Sequence, residues 1–252
     1  MIPNRIQKVL STMAARRVQA LLMGGQACVF YGAAEFSRDT DLLILADMPN
    51  LERLEAAFRD LQAECIAVPP LSADYLYRGH AVHFRCHHPE AQGMRVDLMS
   101  KLRGVAEFKT LWNRRTTITD MDGTSFDLIS LPDLVQAKKT QRSKDWPMLQ
   151  RLLEAHYLSH RASATEEQQL FWLLELRTAP LLIEAAKRSP ELKAHLLPQR
   201  PLLALAEPAS QGELEKALDS EQNAEREKDR IYWQPLKIEL EELRHEFASR
   251  KR

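Results

Sequence analysis

Two aspartates separated by one residue, Asp39-Thr40-Asp41, open the apolar run Leu42-Leu-Ile-Leu45, and the pair Gly24-Gly25 precedes them with thirteen residues between. On a strand, side chains two apart point to the same side of the sheet, so both carboxylates would share one face. Carboxylates this close repel unless a cation lies between them, and hard oxygen ligands suit Mg²⁺ or Mn²⁺ rather than zinc. The glycines fall between an apolar run and a short helical segment, where a tight turn with bare backbone N–H groups can approach phosphates. A third carboxylate, Asp97, lies in Arg95-Val-Asp-Leu-Met99 as though mid-strand, where an acid without a partner is costly. It reads either as a third metal ligand, if its strand neighbours the one at Asp41, or as the salt-bridge partner of Arg95 or Arg85. Three converging carboxylates suit in-line displacement at phosphorus, with metal ions neutralising the phosphates while one carboxylate activates the attacking hydroxyl.

The string Gly24-Gly25, Ser37-Arg38-Asp39-Thr40-Asp41-Leu42-Leu43 and Val96-Asp97-Leu98 resembles the minimal nucleotidyltransferases of the polymerase-β superfamily. Their pattern is a paired Gly-Gly or Gly-Ser, an Asp-x-Asp and a later lone Asp. The resemblance spans roughly residues 18–155. It implies an α/β (α+β) chain with a polymerase-β-like mixed-sheet core, followed by a helical C-terminal region. It further implies Mg²⁺ (or Mn²⁺) held by Asp39, Asp41 and Asp97, with Gly24, Gly25 and Arg38 at the nucleotide. The activity implied is transfer of a nucleoside monophosphate from a nucleoside triphosphate such as ATP to an acceptor hydroxyl, with release of pyrophosphate.

Ser130-Leu-Pro-Asp-Leu-Val-Gln-Ala-Lys-Lys139, followed by Arg142 and Lys144-Asp145-Trp146, is similar to the segment after the core in the toxin-like subgroup named for the AbiEii abortive-infection toxins. There a helix lysine and a downstream basic-Asp pair line the nucleotide site, which implies phosphate contacts from Lys138 (or Lys139) and Arg142. If the segment is one helix, Lys138, Arg142 and Asp145 share a face. Where the subgroup often has a second Asp three residues beyond the first, this chain has Met148. The subgroup implies the acceptor end of a tRNA as acceptor and a cognate antitoxin as a candidate partner, while relatives elsewhere in the superfamily modify small antibiotics or protein hydroxyls, so the acceptor stays open. A catalytically degenerate module holding a nucleotide or partner on the same fold is the alternative, and a scaffold acting through its C-terminal helices ranks last.

The elements that must position these residues follow from periodicity. Val18 to Met23 reads as a buried strand, Gln26 to Tyr31 as a short helix, Gly32 to Ser37 as a loop, and Leu42 to Leu45 as a second strand. A helix capped by Asn50 runs to Asp60. Ala81 to Arg85 and Met94 to Met99 read as neighbouring strands joined by the polar segment Cys86 to Gly93. Thr116–Thr119 and Phe126–Ile129 flank Asp122-Gly123, a hairpin turn. From Pro132 the chain reads helical, with Trp146 to Tyr157, Glu166 to Arg188 and Glu213 to Arg250 as candidates and a Pro-marked break between the last two. The expected division is a core over 1–158 and a helical region over 159–252.

The 252 residues carry 35 basic and 35 acidic side chains, split 19 against 17 over 1–150 and 16 against 18 over 151–252, so neither half resembles a general nucleic-acid coat. With 44% apolar residues the chain has material for a core and is neither disordered nor a rod. Three scattered cysteines, Cys28, Cys65 and Cys86, read as buried small hydrophobes in a reducing compartment. Cys86-His87-His88 lacks the ligand spacing of a zinc site, and His156 and His160 read as surface side chains. The four tryptophans read as core or helix contacts. No run approaches a membrane span and no signal peptide opens the chain, so the expected location is the cytoplasm, away from any membrane.

Overall fold

The computed structural model describes residues 4–34, 37–119 and 123–250. The chain divides into two compact units, one of 1–30, 35–137 and 232–252, the other of 31–34 and 138–231. These cuts differ from a division at 158/159, because the helix of residues 145–160 belongs to the second unit.

The first unit is built on a seven-stranded mixed sheet. In chain order its elements are α1 (Asn4–Ala15), β1 (Ala20–Met23), α2 (Gly24–Phe30), β2 (Asp39–Ile44), α3 (Met48–Asp60), β3 (Glu64–Cys65), α4 (Ala73–Arg78), β4 (Val82–Arg85), β5 (Arg95–Met99), α5 (Phe108–Asn113), β6 (Thr116–Thr119), β7 (Ser125–Leu128) and α6 (Leu131–Ala137). The strand order is β3-β4-β5-β2-β1-β7-β6. β2 runs parallel to β5 and antiparallel to β1, while β1 runs parallel to β7.

One face of this sheet is largely apolar, with the buried Thr40 as a polar exception. Thr40, Leu42 and Ile44 of β2, Leu22 of β1, Val96 and Leu98 of β5, Val82 and Phe84 of β4 and Leu128 of β7 are buried. α3 lies over it, with Phe58 stacked on Phe84 at a centroid distance of 4.0 Å, and α1 packs against α3 and β7. The opposite face is half-open along β2, β5 and β4, where Asp39, Asp41, Arg95, Asp97 and His83 alternate with the buried residues.

Several local expectations are corrected by hydrogen bonding. Asp47, not Asn50, caps α3: its side chain accepts from the Asn50 N–H at 2.9 Å. Asn50 is fully buried and ties α3 to the sheet ends, donating to the carbonyls of Gln19 and Leu45 and accepting from the Gln19 N–H. α1 carries no strong sequence signal at its ends, with no acidic first turn and no basic last turn, yet it buries Ile6, Val9, Leu10 and Met13 on one stripe. β6 and β7 pair as expected, from Thr116 opposite Leu128 to Thr119 opposite Ser125. Asp122 of the expected turn lies outside the described residues.

The second unit is helical: α7 (Asp145–His160), α8 (Glu166–Glu175), α9 (Ala179–Arg188), α10 (Pro190–Leu196) and the portion of α11 (Gln211–Arg250) up to Ile231. Glu166 to Arg188 is two helices rather than one, since Pro180 has no N–H to continue a helix and opens α9 instead. α8 begins with a capping box, Thr165 and Gln168 each bonding the other's backbone. α11 continues through Pro235, and its residues from Tyr232 belong to the first unit, where Glu239 accepts from Arg78 and pairs with His80. No helix among the described residues is long and apolar enough to cross a membrane.

Candidate functional site

The register brings the three aspartates to one face. Asp41 stands directly opposite Asp97 in the parallel β2–β5 pair, Asp39 opposite Arg95, and His83 of β4 opposite Asp97 on its other side. Asp39 precedes Asp41 by one alternation, so all three carboxylates project from the half-open face of adjacent strands.

The glycines abut this row. β1 ends at Met23, opposite Asp41, and Gly24 turns the chain directly into α2 with φ +66°. A Cβ on Gly24 would lie 1.8 Å from Asp41 Oδ2, so the Asp41 carboxylate occupies the space that a side chain at this position would fill. A Cβ on Gly25 would lie 2.7 Å from Ser37 Oγ, whose hydroxyl donates to the Asp39 carbonyl at 3.2 Å. Gly24-Gly25 and Ser37-Asp39-Asp41 therefore form one continuous surface. Arg38, the remaining residue expected at a nucleotide, is exposed and immediately precedes β2.

Asp97 is already engaged. Arg95 Nε donates to its Oδ1 at 2.7 Å, His83 Nδ1 lies 2.8 Å from the same oxygen, and Arg95 Nη2 is 3.1 Å from His83 Nδ1. Burial pushes the Asp97 carboxyl up, but the hydrogen bonds from His83 and Arg95 outweigh it and hold the carboxyl below its usual range. Arg95 is raised, chiefly by its hydrogen bond to Asp97, and the charges of Asp39 and Asp41 add to it. Of the alternatives for Asp97, pairing with Arg95 is present and pairing with Arg85 is not observed. His83 carried a readable signal, a polar residue between Val82 and Phe84 at the alternation point of a strand, whose importance depends on lying opposite Asp97.

The donor set fits a hard divalent cation in chemistry: carboxylate oxygens on one accessible face, with both contacts to Asp97 falling on Oδ1. Among the described residues, however, no three His, Cys, Asp or Glu side chains are gathered closely enough to hold a metal ion. The positive charge next to the carboxylates belongs to Arg95.

Lys138, Arg142 and Asp145 converge, though not along a helix face. α6 ends at Ala137, and residues 138–144 form a turn that folds back on the first residue of α7. Asp145, buried, accepts from Thr140 Oγ1 at 2.6 Å and Arg142 Nε at 2.7 Å, with Lys138 Nζ at 3.4 Å. Burial pushes its carboxyl up, yet Lys138, Thr140 and Arg142 together hold it below the usual range. Lys139 turns instead to Glu175 Oε2, at 2.7 Å. The whole group belongs to the second unit.

Among the other expectations, Cys28 and Cys86 are buried, and burial pushes the Cys86 thiol up to about 11, whereas Cys65 is exposed. His88 caps a turn, accepting from the Glu90 N–H, and His87 pairs with Glu64. His160 is exposed, but His156 is half-buried and accepts from Trp172 Nε1 at 2.9 Å. A scan against protein-family models finds no model that matches this chain, and a search of curated proteins finds no match to its sequence.

Proposed function

We propose that the first unit is a metal-dependent nucleotidyltransferase, moving a nucleoside monophosphate from a nucleoside triphosphate to an acceptor hydroxyl. The observation that carries this is the Asp41–Asp97 register pair, flanked by Asp39 and roofing Gly24. Asp39 and Asp41, with Asp97, would hold Mg²⁺ or Mn²⁺, which when bound neutralises triphosphate charge. The lack of side chains at Gly24 and Gly25 lets the Asp41 carboxylate and the Ser37 hydroxyl sit close to the turn between β1 and α2, and exposed Arg38 offers the phosphates a cation. Asp97, oriented by Arg95 and His83, takes the proton of the acceptor hydroxyl. Resemblance to the AbiEii-type toxins makes the acceptor end of a tRNA the first acceptor to test and an antitoxin a partner to look for.

A second reading, a degenerate module that binds a nucleotide without chemistry, draws on one observation: Arg95 already provides a positive charge to all three carboxylates. Calorimetric titration with ATP, with and without Mg²⁺ or Mn²⁺, separates the two. A working site binds ATP only with the metal and loses that binding in Asp39→Asn and Asp41→Asn; binding indifferent to metal assigns the module.

A further inference from the structure

Two rows of side chains stand next to each other on the half-open face of the first unit's sheet. In one, Asp41 of β2 lies opposite Asp97 of β5, and Asp97 opposite His83 of β4. In the other, Asp39 lies opposite Arg95, and Arg95 opposite Arg85. Residues directly opposite on paired strands share a face, so the second row sets two guanidinium-bearing side chains beside the aspartates on adjacent strands. Like charges directly opposite are destabilising unless an anion lies near.

The two arginines differ in what they meet. Arg95, 40% exposed, is drawn onto the aspartates: its Nε donates to Asp97 Oδ1 at 2.7 Å, and the charges of Asp39 and Asp41 add to the hold on it. Arg85 is exposed, and its side chain makes no hydrogen bond or ion pair among the described residues. Arg95 is therefore the cation that offsets the carboxylates. Asp97 Oδ1 already has two partners, Arg95 and His83, and a divalent cation arriving alone meets the repulsion of the guanidinium. A triphosphate changes that balance. Phosphate oxygens take guanidiniums in bidentate pairs, so it gives Arg95 a second anion to hold as Asp97 is released, and gives Arg85 a partner.

We propose that Arg95 moves from Asp97 to the phosphates of an incoming nucleoside triphosphate, where Arg85 joins it, so that the aspartates hold a divalent cation weakly on their own and firmly only together with the nucleotide. This rests on the nucleotidyltransferase reading above and adds to it the regulation of the same site. Three side chains divide the work. Asp97 is held by Arg95 and His83 until the phosphates compete for Arg95; Arg95 keeps a metal ion from settling without substrate; Arg85, at the far side of the row from Asp39, fixes the edge of the sheet over which the phosphates lie. Metal and nucleotide are then coupled, each raising the affinity for the other by the same factor.

The test is titration of the full chain with Mn²⁺ alone, read by loss of the free-ion paramagnetic resonance signal, and with ATP at saturating Mn²⁺, read by calorimetry. Arg95→Gln is expected to bind Mn²⁺ alone about tenfold or more tightly than the parent, and the Mn²⁺–ATP pair more weakly. Arg85→Gln is expected to bind the Mn²⁺–ATP pair about tenfold more weakly than the parent. Mn²⁺ affinity in Arg95→Gln no tighter than in the parent overturns the proposal, as does unchanged Mn²⁺–ATP affinity in Arg85→Gln. Should Arg95→Gln fail to fold, exposed Arg85 decides alone by the same criterion. If Mn²⁺–ATP binding requires Asp39 and Asp41 yet ignores Arg85 and Arg95, this proposal falls and the nucleotidyltransferase reading stands. If neither the parent nor Arg95→Gln responds to Mn²⁺ with or without ATP, both fall.

Discussion

Gly24→Ala tests the close approach of the two halves of the candidate site. Gly24 has φ +66°, where an L side chain costs about 1–2 kcal/mol. The new methyl would also fall 1.8 Å from Asp41 Oδ2, far inside contact distance, so the Asp41 carboxylate must leave its position. Restricting the unfolded chain returns only about 0.4–1 kcal/mol. The net expectation is destabilisation by about 1–3 kcal/mol, read from denaturant unfolding of the full chain, together with loss of metal-dependent ATP binding. Gly25→Ala is the internal control. Its φ is ordinary, the methyl meets a Ser37 hydroxyl that can turn aside, and alanine is favoured over glycine in a helix, so stability should change little. Refutation would be a Gly24→Ala protein as stable as the parent with metal-dependent binding intact.

Three further outcomes are expected. In Asp145→Ala the buried Lys138 ammonium loses its carboxylate and Arg142 its partner, so unfolding should become easier by about 3 kcal/mol; a change under 1 kcal/mol would show that the turn is held by other contacts. Asp97 has a folded carboxyl held below its unfolded value of about 3.9, so its contribution is complete above that pH and is lost as the pH falls through the folded value. Arg95→Gln should therefore lower stability at neutral pH and show a weaker decline than the parent in the acid range below about pH 4, and a parallel decline would contradict the pairing. Leu98→Ala, in a fully buried position of the sheet, should cost about 2–5 kcal/mol in the same unfolding assay.

The sheet was legible where alternation and turns are strong. Val18–Met23, Ala81–Arg85 and Met94–Met99 each contain an observed strand, Leu42–Leu45 overlaps the second half of β2, and the conditional placement of Asp97 beside Asp41 is met by the β2–β5 register. Asp39 already begins β2, although it precedes the apolar run, because pairing with β5 extends the ladder to Arg95. α1 was missed for want of end signals, although its stripe Ile6, Val9, Leu10 and Met13 recurs at helical spacing. The Lys138–Asp145 segment was read at helical spacing, but Thr140, Arg142 and Lys138 meet Asp145 more closely from a turn than along a helix. Two- and six-residue elements such as β3 and α4 are too short for periodicity to register. The alternation around His83 is local, but its place opposite Asp97 comes from a strand pairing that no local pattern encodes.

The most direct measurement is transfer of label from each of the four α-³²P nucleoside triphosphates, with Mg²⁺ or Mn²⁺, into tRNA, total RNA, cell protein and the chain itself, run beside Asp39→Asn, Asp41→Asn and Asp97→Asn. Metal-dependent labelling by the parent, lost in all three variants, is the predicted result. Labelling that survives loss of Asp39 or Asp41, or no labelling of any acceptor together with ATP binding that ignores metal, would contradict a catalytic role for the aspartates.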